Sequence, residues 1–159
     1  MAGSQGYTVT RQEEEKISHA LTDTEMRRLI GRFMSPPPIL TKDQLRPITG
    51  TTIYLYQKDG PDTPGHWTLA LFRGDEVEWF DSYGQNYGLS EVRSYLPSDK
   101  KLSRSSVRLQ RFSPDVQDCG DYVVDRLKHR DMDYSSYIKM FRASGHSPDV
   151  TVVDDVYNY

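Results

Sequence analysis

The sequence predicts an α+β fold, a small and mostly antiparallel sheet packed between helices. Two observations carry this. Runs rich in alternating, β-branched and aromatic residues gather in the middle of the chain, at 51–57, 66–72, 76–82 and 106–112. Helical patterns lie mainly before and after these runs, an order that argues against a repeated βαβ architecture. The 159 residues suit one domain, read as residues 17–150 between a polar N-terminal tail, 1–16, and a C-terminal tail, 151–159.

Residues 1–16 carry Glu13-Glu14-Glu15-Lys16 and read as a tail or a loosely held helix. The first firm helix opens at Thr22, because Thr22-Asp23-Thr24-Glu25 has capping-box spacing. Met26, Leu29, Ile30, Phe33 and Met34 then form one apolar stripe, which Pro36-Pro37-Pro38 stops. Thr51 to Gln57 alternates as a strand, and Asp59 to Gly65 is loop by composition. His66 to Phe72 and Glu76 to Ser82 flank Arg73-Gly74-Asp75, which is hairpin chemistry. Ser90 to Leu96 reads as a short helix closed by Pro97. A charged, serine-rich loop follows at 98–106, and Ser106 to Phe112 reads as a further strand. A helix opens near Cys119 and runs through Leu127, and Asp133 caps a last helix through Ile138 and Phe141.

The net charge of −3 gives no broad positive field for phosphate backbone, so nucleic acid is not an expected partner. The longest apolar stretches are about four residues, and the first residues lack the apolar core of a signal peptide, so no membrane partner is expected. One cysteine excludes an internal disulfide framework and any multi-cysteine metal cluster. It fits an intracellular reducing compartment.

That cysteine, Cys119, is the natural start of a search for chemistry. It falls at an expected helix start, where unpaired N–H groups and the dipole favour a thiolate. Gly120 follows it and permits close approach to the backbone, and polar Gln117 and Asp118 precede it. A nucleophilic cysteine needs a base, and the base an orienting group. Of His19, His66, His129 and His146, His66 stands out because of the hairpin. A two-residue turn at Arg73-Gly74 sets it opposite Asp81. A turn at Gly74-Asp75 moves Asp81 one pair along on the same face, and a three-residue loop would separate the two.

In chain order, Gly65-His66-Trp67, Trp79-Phe80-Asp81-Ser82-Tyr83-Gly84 and Asp118-Cys119-Gly120 resemble the adenain-like cysteine peptidases of clan CE. That clan includes adenovirus and Polinton-type virus proteases and the proteases of ubiquitin-like proteins. The resemblance spans roughly residues 50–127 and is strongest to the viral and Polinton branch. It implies the adenain-like fold, with Cys119 as nucleophile, His66 as base and then acid, and Asp81 as its orienter. It also implies an oxyanion-hole glutamine about six or seven positions before the cysteine, where this chain has Phe112 and Ser113. Gln110 is the preferred substitute, and Gln117 the other candidate. Trp67, after the histidine, would roof a narrow tunnel that admits glycine before the scissile bond. The second tryptophan wall of the ubiquitin-like-protein proteases is missing, and Tyr54 and Tyr56 are the candidates for it. No cysteine remains to tether an activating peptide by a disulfide, and no cofactor is expected.

The resulting expectation is a cysteine endopeptidase that cleaves after glycine, at Gly-Gly or Gly-X-Gly sites, as in viral polyprotein or virion maturation. The alternatives are an isopeptidase that removes ubiquitin or a ubiquitin-like modifier, and an inactive binding module of the same fold. A papain-like order through Cys119, His146 and Asn158 has the residue types without the surrounding motifs. A metal site from His66, Asp81 and Cys119 ranks below these.

Overall fold

Hairpin chemistry at Gly74-Asp75 organises the centre of the fold. The computed structural model describes residues 9–58 and 64–157. Its sheet runs β1 (Ile39–Leu40), β2 (Thr52–Tyr56), β3 (His66–Arg73), β4 (Glu76–Phe80) and β5 (Lys101–Arg104), in that spatial order. Arg73 pairs with Glu76 across a two-residue turn, and Gly74 takes φ +59° at its first central position. A primed turn of that kind matches the natural strand twist. The three central strands are antiparallel, whereas β1 on β2 and β5 on β4 are parallel. The fold is therefore α+β with a mixed sheet, antiparallel in its centre only.

Alternation along β3 splits the core in two. Trp67, Leu69 and Leu71 face the helices α2 (Asp23–Ile30), α4 (Cys119–Lys128), α5 (Tyr134–Ala143) and α6 (Pro148–Tyr157). Ala70 faces the other way, into a smaller cluster with Tyr54, Trp79, Leu89 and Val92. The last two belong to α3 (Leu89–Val92), which continues as a 3-10 turn, Arg93–Tyr95. Residues 119–127 of α4 are all buried, Asp121, Asp125 and Arg126 among them. Arg126 is tolerated because Glu78 takes its Nε and one Nη at 2.8 Å each, while the carbonyls of His129 and Met132 take further N–H groups.

Several expectations need correction. Thr22 caps α2 with a full capping box, as its spacing suggests, but the helix ends at Ile30. Phe33 and Met34 reach the core from a turn instead. The N-terminal stretch contains a helix, α1 (Arg11–Ser18), with its own Thr10–Glu13 capping box. The expected C-terminal tail is, through residue 157, the body of α6, with Val152, Val153 and Val156 buried. The fourth long strand lies at Lys101–Arg104, inside the expected loop, and 106–112 forms no strand. In that segment Leu109 and Gln110 both donate to the Ser82 carbonyl, and Tyr134 Oη accepts from Ser106 and Val107, so local anchors replace a ladder. The two-residue β1 is too short to leave a periodic signal. Most of the expected loop at 59–65 lies outside the described residues.

Candidate active site

Register brings the first two site residues together. Extending the β3–β4 pairing sets Asp81 opposite Thr68, two residues from His66 and on the same face. His66 Nε2 and Asp81 Oδ1 lie 2.6 Å apart. Asp81 is also the hub of the loop 81–88. Its Oδ1 accepts the Tyr83 N–H at 2.9 Å, and its Oδ2 accepts those of Gln85 and Tyr87 at 3.2 and 3.0 Å. Ser105, just past the end of β5, fixes the same loop: its hydroxyl accepts the Asp81 N–H, and its backbone pairs with the Asn86 amide in both directions. Three left-handed residues, Gly84 at φ 70°, Asn86 at φ 58° and Gly88 at φ 82°, let the chain curl around the carboxylate.

Electrostatics follow from this geometry. Burial alone would raise the Asp81 carboxyl, but the His66 contact and the backbone N–H groups outweigh it and hold the carboxyl below its ordinary value. Burial would likewise lower His66, yet hydrogen bonding to Asp81 and to Cys119 raises it to about 9. Tyr83 stacks on the imidazole at 4.7 Å between ring centroids, and Tyr87 meets it edge-on at 5.8 Å. With Nε2 held by Asp81, the other ring nitrogen is left for the sulfur.

Cys119 is the first residue of α4, 8% exposed, and its sulfur accepts the Trp67 N–H at 3.4 Å. Trp67 is itself fixed by its indole N–H on the Leu21 carbonyl, 3.0 Å away. Gly120 is needed for packing. A Cβ there would sit 3.0 Å from Leu21 and 3.1 Å from Trp67. The segment between α1 and α2 thus braces the cleft, and Ile17 supports it further by accepting the Gln117 N–H at 2.8 Å.

The two glutamines differ in placement. Gln110 is buried at the cleft wall, its Oε1 accepting from Ser82 and its Nε2 donating to Tyr83 Oη and the Val116 carbonyl. Gln117 lines the same cleft but is exposed, with its amide on the Pro114 carbonyl at 3.3 Å. The cleft encloses about 490 Å³ around His66 and Cys119, with Trp67 and Tyr56 in its walls. Tyr54 is not part of it. That side chain is buried on the opposite side of β2 from Leu55, against Trp79, with its hydroxyl 2.6 Å from Glu91. Phe112, 65% exposed, is a lining residue that the sequence reading did not assign, and it packs edge-on against Tyr83 at 5.0 Å.

Asp118, just before the nucleophile candidate, is fully buried, and neither oxygen meets an N–H or O–H donor. Burial, reinforced by the Asp149 carboxylate, raises it to about 11. It therefore keeps its proton and shares it with Asp149, which also accepts from the Arg111 N–H and the Tyr122 hydroxyl. Of the other histidines, His146 lies in the turn before α6, and Asn158 falls outside the described residues.

Comparison with known structures finds a similar overall arrangement in the SUMO protease Ulp1. The form with its catalytic cysteine oxidized to a sulfinic acid shares 16% identity at a TM-score of 0.36, over 96% of this chain and 87% of that one. The sulfenic acid form gives 16% and 0.39, over 93% and 85%. No protein-family model and no curated protein matches the sequence. At these scores the likeness concerns the arrangement of helices and strands and assigns no residue.

Proposed function

We propose that this chain is a cysteine peptidase with Cys119 as nucleophile, His66 as general base and acid, and Asp81 as the orienting carboxylate. One observation carries the reading: an imidazole held 2.6 Å from a buried carboxylate, in the same cleft as the lone cysteine at a helix start. His66 takes the thiol proton, and the thiolate attacks the peptide carbonyl carbon. The negative charge that develops on oxygen falls near the Cys119 backbone N–H, one of the unpaired donors at the start of α4. Gln110 is the proposed side-chain donor, supported by its burial at the cleft wall. It would turn one N–H from Tyr83 Oη or the Val116 carbonyl toward the oxyanion. Collapse breaks the C–N bond as His66 returns the proton to the leaving amine. Water, deprotonated by the same imidazole, then hydrolyses the thioester and releases the acid and the thiol.

The proposed substrate has glycine before the scissile bond, in Gly-Gly or Gly-X-Gly sequences such as a viral polyprotein offers. Trp67 and Tyr56 in the cleft walls favour a residue without a side chain at that point. The test is incubation with Gly-Gly-X peptides and, separately, with a ubiquitin-like modifier bearing a C-terminal fluorophore. Peptide cleavage that disappears in Cys119→Ala supports the endopeptidase. Cleavage of the modifier conjugate alone makes the protein an isopeptidase. No turnover of either, together with unchanged Cys119 alkylation in His66→Ala, leaves a binding module.

A further inference from the structure

A second group of convergent side chains lies at the far end of α4, about 15 Å along the helix from Cys119 at 1.5 Å per residue. Asp125 and His129 stand one turn apart, and Asp155 of α6 faces them. One ligand-type atom from each falls within 4.8 Å of the other two. His129 Nε2 is 2.7 Å from Asp155 Oδ2 and 3.7 Å from Asp125 Oδ1.

The remaining oxygens are already assigned. Asp125 Oδ2 accepts the Tyr137 hydroxyl at 2.7 Å, and Asp155 Oδ1 takes the Lys128 ammonium at 3.2 Å. Each carboxylate is thereby turned so that its other oxygen points at the imidazole, as outer partners do around bound metals. Asp125 is fully buried, and its inward Oδ1 has no hydrogen-bond donor. A buried oxygen so placed beside the Asp155 carboxylate is costly unless a proton or a cation lies between the two.

We propose that Asp125 Oδ1, His129 Nε2 and Asp155 Oδ2 form a divalent-cation site of the zinc class that staples α6 to α4. One imidazole and two carboxylates suit Zn²⁺, with water as the fourth ligand. Tetrahedral ligands at about 2.0–2.2 Å from zinc lie roughly 3.3–3.5 Å apart. The present separations of 2.7 and 3.7 Å bracket that spacing and the third lies within 4.8 Å, so side-chain shifts of up to about 1 Å admit the ion. His129 and Asp155 remain partly exposed, which gives the ion an entry path. The site is separate from the cleft, and the proposal stands whether or not the chain is a peptidase.

The test uses the Cys119→Ser protein, which removes thiolate binding of zinc at the cleft. Titration with Zn²⁺ by isothermal calorimetry is expected to show one site per chain, and zinc is expected to raise Tm relative to EDTA. On the same background, His129→Gln and Asp155→Asn should each weaken binding roughly tenfold or more. Should His129→Gln fail to fold, Co²⁺ keeps the test alive: visible d–d bands in the Cys119→Ser parent should be absent from Asp155→Asn. No Zn²⁺ binding up to millimolar concentrations, or binding unchanged in both ligand variants, would overturn the proposal. The three side chains would then be only a hydrogen-bonded cluster between α4 and α6.

Discussion

Asp81 at the end of β4 and Asp118 at the start of α4 are both fully buried aspartates, each beside a residue of the cleft, yet they hold opposite charge states. Three backbone N–H groups and an imidazole converge on Asp81, and its carboxyl stays below the ordinary range. Asp118 meets no such donors and has Asp149 beside it, and its carboxyl rises to about 11. Equal burial gives opposite outcomes because the donors supplied by the local chain decide whether desolvation is offset. Where a positive group must be held, the fold curls a loop around a carboxylate. Where a loop must be tied to α6, it uses a shared proton.

The comparison breaks most severely at Asp81. Asp81→Asn removes the partner of the His66 imidazolium and presents an amide to N–H groups that need an acceptor. On the proposed mechanism, turnover of a Gly-Gly peptide should fall about 10³–10⁴-fold, as in other triads that lose their carboxylate. Next in size is the oxyanion donor. Gln110→Ala should lower kcat by about 10²–10³, while Gln117→Ala, exposed and weakly bonded, should stay within a few-fold. Equal losses in both would remove the assignment to Gln110.

The third effect concerns pH. His66 is raised from 6.5 to about 9 in the folded protein, so its pairing stabilises the fold fully below about pH 6.5. That contribution is lost as pH rises through about 9. Urea midpoints between pH 6 and 10 should show a loss on the order of 3 kcal/mol, absent from His66→Gln. The smallest effect sharpens the contrast. Asp118→Asn keeps a neutral donor toward Asp149 and should change stability by less than about 1 kcal/mol, whereas Asp81→Asn should cost roughly 3–5 kcal/mol. Similar costs at the two sites would mean that Asp118 is ionised.

The His66–Asp81 half of the site was legible because register is local. Either two-residue turn within Arg73-Gly74-Asp75 puts the two side chains on one face, a three-residue loop would not, and the chain takes the turn at Gly74-Asp75. The start of α4 was also legible from its composition. What the sequence could not show was which backbone groups would serve Asp81, since that depends on the left-handed geometry of Gly84, Asn86 and Gly88. The 106–112 segment alternates like a strand because Val107 and Leu109 pack inward, but Ser82 and Tyr134 satisfy its backbone groups without a ladder. The valines of α6 read as a tail because they pack on a helix distant in sequence. Tyr54 and Tyr56 share one face of β2 and both pack on the outer cluster, but only Tyr56, at the end of the strand, also reaches the cleft rim.

The most direct measurement of the central arrangement is the alkylation rate of Cys119, the chain's single thiol, by iodoacetamide at pH 7 in wild-type, His66→Ala and Asp81→Asn proteins. If imidazole joins sulfur to carboxylate, wild-type protein should alkylate fast and both variants at least about tenfold more slowly. Equal rates in all three would show that His66 does not act on the sulfur.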